Sequence, residues 1–213
     1  RLVCRRTVNT LKSEKILENT LIIFSSDNGP VLNDGYYDDA VEKIGNHTPS
    51  GGLRGGKYSL FEAGTRVPFI AYWKDRIKPG ISDEIISQID LFNSIATIVS
   101  SNMRSEDGID LSDLILNNKG KGRTELVIEA LRRTAYINKN WVLIPPYKGP
   151  PISKNVNIEL GNSDEYKLYN LNEDPSQNYN LANTEIEKFE EMINSFISVR
   201  GKTFRDWWKK NQK

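Results

Sequence analysis

The chain has 213 residues, 38% of them hydrophobic and 27% charged, which is enough to bury a core and too polar for a membrane-embedded protein. Lysine and arginine total 29 against 28 aspartate and glutamate, a net charge of +1, so no global field directs the protein to nucleic acid or to a membrane surface. One histidine and one cysteine exclude an intrachain disulfide and argue against a zinc site built wholly from this chain, so a bound metal is expected to have oxygen ligands, as calcium and magnesium do.

In chain order, the sequence opens on Arg1 with no methionine and no apolar leader, as expected of a processed chain or a fragment. Val8, Leu11 and Ile16 predict a weakly amphipathic helix over Thr7–Glu18, ending at Asn19. Thr20–Ser26 is a β-branched and aromatic run that stops at Asp27-Asn28-Gly29-Pro30, a strand followed by a sharp turn. A helix feeding an apolar strand is how an α/β repeat looks, and such folds keep their ligands beyond the carboxyl ends of strands, where Asp27 and Asn28 would lie. From Val31 to Gly56 the composition predicts a long functional loop. Val67–Trp73 reads as a second strand, and Ser82–Val99 as strand then helix with Asp90 as N-cap.

Asn102–Lys121 reads as a polar connector, after which a smaller layer begins, so the expected division is 1–122 and 123–213. Ala135–Ile144 predicts a hairpin around Asn138-Lys139-Asn140, Pro145–Pro151 a proline-rich break and Tyr166–Leu171 a further strand. Over Glu185–Arg200 an apolar stripe of Ile186, Phe189, Ile193, Phe196 and Ile197 predicts a helix, opened by a Thr184/Glu187 capping box and stopped by Gly201. The longest apolar stretch, Leu91–Val99, is interrupted by Asn93, Ser94 and Thr97 and falls far short of the roughly 20 residues a membrane span requires.

Several local patterns could carry chemistry. Gly51-Gly52-Leu53-Arg54-Gly55-Gly56-Lys57 has the glycines and lysine of a phosphate-binding loop, but Tyr58 stands where magnesium needs a hydroxyl ligand and no strand leads into it. What survives is a glycine-rich turn with two cations, Arg54 and Lys57, near a ligand or in solvent. Asp27 and Asn28 offer a carboxylate and an amide oxygen, both hard ligands, in a sequence that also serves as ordinary turn chemistry. His47 would have to serve any Ser-His-Asp arrangement, and its Asn-His-Thr-Pro setting is a loop. Cys4 lies in the basic run Arg1–Arg6 and is expected to be a semi-buried helical residue. Asp38 and Asp39 are adjacent in a loop and are expected to be solvated.

Taken together, L-I-I-F-S-S-D-N-G-P, then G-G-L-R-G-G-K-Y-S-L-F-E-A-G-T-R-V-P-F-I-A-Y-W, then I-K-P-G-I-S-D-E, resemble the carboxyl-terminal half of a type I sulfatase. The match runs from about Thr7 to Asp110, and L-Y-N-L-N-E-D-P-S-Q-N-Y-N-L-A, Leu168–Ala182, resembles the late motif of the same family. The resemblance implies an alkaline-phosphatase-like α/β domain, followed by a small antiparallel sheet with a carboxyl-terminal helix. It implies sulfate-ester hydrolysis, a calcium ion held in part by Asp27 and Asn28, and Lys57 in contact with the substrate sulfate. His47 and Arg54 are weaker candidates for substrate contact. Family members usually work in the periplasm, outside the cell or in lysosomes.

The departures carry as much weight. The family nucleophile is a formylglycine made within C/S-x-P-x-R, and no such string occurs in this sequence, nor does the early D-D pair of calcium ligands. A lysine about 4 Å from a sulfate contributes roughly 4 kcal/mol before desolvation, against the roughly 8 to 23 kcal/mol by which enzymes lower barriers. The chain alone is therefore expected to be inactive. The alternatives are a non-catalytic anion- or carbohydrate-binding relic and a phosphoester hydrolase of the same superfamily; the single histidine argues against the second. The implied partner is a sulfated small molecule or carbohydrate, which Tyr36, Tyr37 and His47 could contact. A partial sheet with open edges is expected to self-associate, visible by light scattering.

Overall fold

The computed structural model describes residues 2–36 and 38–211; Tyr37, one of the candidate sugar contacts, lies outside them. In chain order the elements are α1 (Leu2–Ser13), β1 (Ile22–Phe24), α2 (Ala40–Lys43), β2 (Ile70–Tyr72), α3 (Asp90–Ile98), α4 (Ser112–Asn117), β3 (Glu125–Ala130), β4 (Arg133–Asn138), β5 (Trp141–Ile144), β6 (Ile152–Ser153), β7 (Ile158–Glu159), β8 (Lys167–Asn170) and α5 (Ile186–Asn211). Residues 1–25 group with 68–124, and residues 26–67 with 125–213. The long loop after β1 thus shares a unit with the carboxyl-terminal layer.

In the first unit β1 and β2 pair antiparallel, Ile22 opposite Tyr72 and Phe24 opposite Ile70. Helix α1 begins earlier than the apolar spacing implies and ends before Lys15, whose φ of 59° breaks the helical path. Cys4 is exposed on it, a correction to the semi-buried expectation that follows from the polar company of Arg5, Arg6 and Thr7. Asp90 is not an N-cap. It lies inside the first turn of α3, 1% exposed, and accepts from the Ser87 amide at 2.8 Å, the Ile109 amide at 3.0 Å and the Arg123 guanidinium at 2.9 Å. Arg123 also donates to the Asp107 carbonyl at 2.6 Å. This buried ion pair ties α3 to two loops, and the strand expected after Ser82 reduces to one bridge between Ile85 and Arg123.

The second unit is built on an antiparallel sheet of order β3-β4-β5-β8. The predicted hairpin is present, with Asn138 opposite Trp141 and Lys139 at a φ of 53° in a two-residue turn. Strand β3 was not legible beforehand; it pairs with β4 through a turn at Leu131 and Arg132. Alternation along these strands makes two apolar faces. Tyr136, Leu143 and Leu168 pack on Met192 and Phe196 of α5, while Ala135, Val142, Ile144 and Tyr169 pack on Leu60 and Phe61.

The terminal helix forms where its stripe predicts, with two changes. Thr184 donates its hydroxyl to the Leu181 carbonyl, and Glu185 supplies the first accepting carbonyl, to the Phe189 amide, so the capping box is not made. Gly201, with a φ of 81°, kinks the helix, which then resumes to Asn211.

Replacing Asp90 by alanine leaves Arg123 buried without its countercharge and is expected to lower stability by about 3–5 kcal/mol in urea unfolding. Burial, aided at Tyr136 by the hydrogen bond to Glu125, pushes the Tyr136 and Tyr169 hydroxyls up to about 12. Both groups fold as neutral phenols with raised values, so their stabilisation is intact below about pH 10 and is lost as pH rises toward 12. Alkaline titration of phenolate absorbance is expected to show ionisation steps at about pH 12 for these two rings, with Tyr136→Phe removing one of them.

Candidate active site

The turn after β1 and the segment around Lys57 are brought together by their backbones. The Gly29 amide donates to the Gly64 carbonyl at 2.9 Å and the Lys57 amide to the Pro30 carbonyl at 2.9 Å. A Cβ on Gly29 would fall 1.6 Å from the Ala63 carbonyl oxygen, and one on Gly64 would fall 2.3 Å from that of Ser59. Both glycines are thus required by close backbone approach, which is why the two motifs read as conspicuous strings.

Asp27 is exposed, and its carboxylate makes no hydrogen bond or ion pair among the described residues. Asn28 is half-buried and donates its amide nitrogen to the Gly29 carbonyl at 2.9 Å, leaving Oδ1 as an acceptor. These two hard oxygen donors suit calcium, yet they are a minority of the roughly six to eight oxygens that calcium takes. Among the described residues no group of three or more His, Cys, Asp or Glu could hold a metal ion.

Lys57 Nζ forms an ion pair with Asp34, whose other carboxylate oxygen accepts from the Tyr58 hydroxyl at 2.8 Å. The bond to Asp34 raises the Lys57 ammonium above the ordinary lysine range; the bonds from Lys57 and then Tyr58 lower the Asp34 carboxyl. Both groups stay charged through the neutral range, where a sulfate ester is also an anion. Asp34 was not singled out from the sequence, because nothing in its Asn-Asp-Gly setting distinguishes a partner of Lys57 from a turn residue.

Arg54 is directed elsewhere. Its guanidinium pairs with Glu159, donates to the Gln177 carbonyl at 2.7 Å and lies 4.2 Å from the centre of the Phe61 ring. No strand leads into Gly51 and no α-helix follows Lys57, so the phosphate-loop geometry is not formed. His47 stands exposed on a turn, and its side chain makes no hydrogen bond among the described residues. Asp38 and Asp39 are exposed, with Asp39 paired to Lys43.

Residues 59–64 are buried although they belong to no sheet. Their backbone polar groups find partners in distant segments: Leu60 N to the Leu160 carbonyl at 3.1 Å, Glu62 N to Gln177 Oε1 at 2.7 Å, and Ala63 N to the Arg54 carbonyl at 3.0 Å. Arg133, 4% exposed, donates at 2.6 Å to the carbonyl of Tyr58, a residue held at a φ of 75°. Lys57 is therefore presented by a rigidly held turn.

Mixed helices and antiparallel sheets, with the D-N-G turn laid against a buried lysine-bearing turn, define an alkaline-phosphatase-like α/β protein with a small antiparallel sheet and a carboxyl-terminal helix. Residues 3–101 match the model of the Sulfatase family. The chain is 39% identical over 91% of its length to an N-acetylgalactosamine-6-O-sulfatase of Bacteroides thetaiotaomicron, of which it spans 39%. It is 29% identical over 78% of its length to human arylsulfatase A, of which it spans 34%. A solved Bacteroides thetaiotaomicron structure, from work on the metabolism of multiple glycosaminoglycans, superposes with a TM-score of 0.84 at 38% identity, covering 91% of this chain and 41% of that one. The chain belongs to the sulfatase family.

Gln177 is fully buried, and its Nε2 is the one buried side-chain nitrogen without a partner among the described residues, so its place is determined by the bond it accepts from Glu62. Gln177→Ala strands the Glu62 amide and is expected to cost about 1–3 kcal/mol in denaturant unfolding.

Proposed function

We propose that this chain forms the carboxyl-terminal part of a sulfatase that hydrolyses a sulfate ester on a carbohydrate, with Lys57 contacting the sulfate. The observation that carries the reading is a lysine placed by a buried turn beside a cleft of about 800 Å³, its ammonium held by a carboxylate that an incoming sulfate would replace. In this reading Asp34 is a positioning residue that keeps Lys57 extended and compensated until substrate arrives. Arg54 braces the turn through Glu159 and Gln177, and His47 and Tyr36, both exposed on the loop, are available to a sugar.

Asp27 and Asn28 would hold one side of a calcium ion whose other ligands come from outside this sequence. When bound, calcium supplies charge stabilisation to the sulfate oxygens, and a formylglycine, also outside this sequence, supplies the nucleophile. The residues present here bind and orient, and the chain by itself is inactive. The name of the bacterial relative makes a 6-sulfated N-acetylgalactosamine the first substrate to try. Work in the periplasm, outside the cell or in lysosomes fits the family; no helix among the described residues is long and apolar enough to cross a membrane.

Purified chain is expected to release no sulfate from an aryl sulfate, yet to bind N-acetylgalactosamine 6-sulfate in calorimetry, weakened about tenfold or more in Lys57→Ala. Turnover would overturn the inactivity of the chain, and binding unaffected by Lys57→Ala would overturn the role given to that lysine.

A further inference from the structure

The cleft beside Lys57 contains a second centre of positive charge, formed by two arginines. Asp34, Tyr58, Arg132, Arg133, Tyr147 and Asn162 are among the residues that line it. Arg133 is 4% exposed, and its guanidinium meets only neutral acceptors: the carbonyls of Ala130 at 3.1 Å, Leu160 at 3.0 Å and Tyr58 at 2.6 Å, and Asn162 Oδ1 at 3.1 Å. Four acceptors leave one of its five N–H donors unassigned. A buried cation without a countercharge is costly, and burial accordingly lowers the Arg133 pKa.

No carboxylate within the cleft relieves that charge. Asp34 is the one acid in the lining, and both of its oxygens are committed, to Lys57 and to Tyr58. Arg132, in the β3–β4 turn, is exposed and forms no ion pair among the described residues. The cleft therefore carries two uncompensated guanidinium groups, next to a tyrosine ring and amide and hydroxyl groups of the kind that hold sugars. Its volume of about 800 Å³ exceeds what one sulfate needs.

We propose that this cleft binds a second anionic group, a carboxylate or a further sulfate on the sugar next to the one bearing the scissile ester, through Arg132 and Arg133. The proposal rests on the reading of Lys57 as a sulfate contact and adds a second anion contact to that site. The exposed Arg132 guanidinium can offer paired N–H donors to either oxyanion, and Arg133 adds its one unassigned N–H.

The test is titration calorimetry of the 213-residue chain with three disaccharides that share a 6-sulfated N-acetylgalactosamine: one with a neutral neighbour, one with a hexuronate neighbour and one with a sulfated neighbour. At least one of the doubly charged probes is expected to bind about tenfold tighter than the neutral-neighbour probe, and which one does so identifies the oxyanion. Arg132→Ala should remove most of that gain and Arg132→Glu should reverse it; Lys139→Ala, an equal charge change on the β4–β5 turn, should retain it. Arg133 is not the variant of choice, because its loss also releases the Tyr58 carbonyl. Equal affinity for the three probes, absence of all binding, or a gain indifferent to Arg132 overturns the proposal. The reading of Lys57 fails separately, if the neutral-neighbour probe does not bind or binds equally well to Lys57→Ala.

Discussion

A buried turn with no sheet of its own is the constraint on which this site depends. Residues 59–64 pack their apolar side chains, Leu60 and Phe61, on one face of the antiparallel sheet, and that burial removes the surrounding backbone from water. Every amide and carbonyl so removed needs a partner. The partners come from Gly29, Arg54, Leu160 and Gln177, residues scattered over most of the unit. Satisfying them determines the path of the chain through Lys57, and with it the direction in which the ammonium leaves the turn.

The sheet makes this possible by being apolar on both sides. Tyr136, Leu143 and Leu168 face α5, and their neighbours Ala135, Val142 and Tyr169 face the turn. Each strand thus contributes alternate residues to two cores, so the helix that covers one face and the turn that covers the other are stabilised by the same three strands. The edge contact between the Phe61 and Tyr169 rings, with centroids 6.1 Å apart, anchors the turn at its middle.

Two buried arginines differ in how their charge is met. Arg123 meets the Asp90 carboxylate with two of its nitrogens, so its charge is answered within its own unit and the pair acts as a clamp on α3. Arg133 meets carbonyls and an amide oxygen alone. Its hydrogen bonds hold the turn at Tyr58, but they do not neutralise it, and the unanswered charge faces a cleft. The Lys57–Asp34 pair lies between these cases: it is compensated, as Arg123 is, and more exposed than either arginine.

The helix stripe at 186–200, the hairpin at 138–140, and the strands at 22–24 and 70–72 were legible because apolar period and turn residues are local properties. The linear motifs around Asp27, Asn28 and Lys57 were legible for the same reason, and they were sufficient to point to the family. Asp90 was misread as a cap, because a carboxylate at a helix start looks alike whether it meets an amide or a buried arginine 33 residues away. Asp34, Arg133 and Gln177 carried no sequence signal at all, since each is defined by a partner 23, 75 or 115 positions distant. The sequence by itself determined the terminal helix, the hairpin, the two short strands and the motifs that point to the family. Which charges meet a partner and which remain unanswered was decided by tertiary packing alone, because charge compensation depends on distance in space.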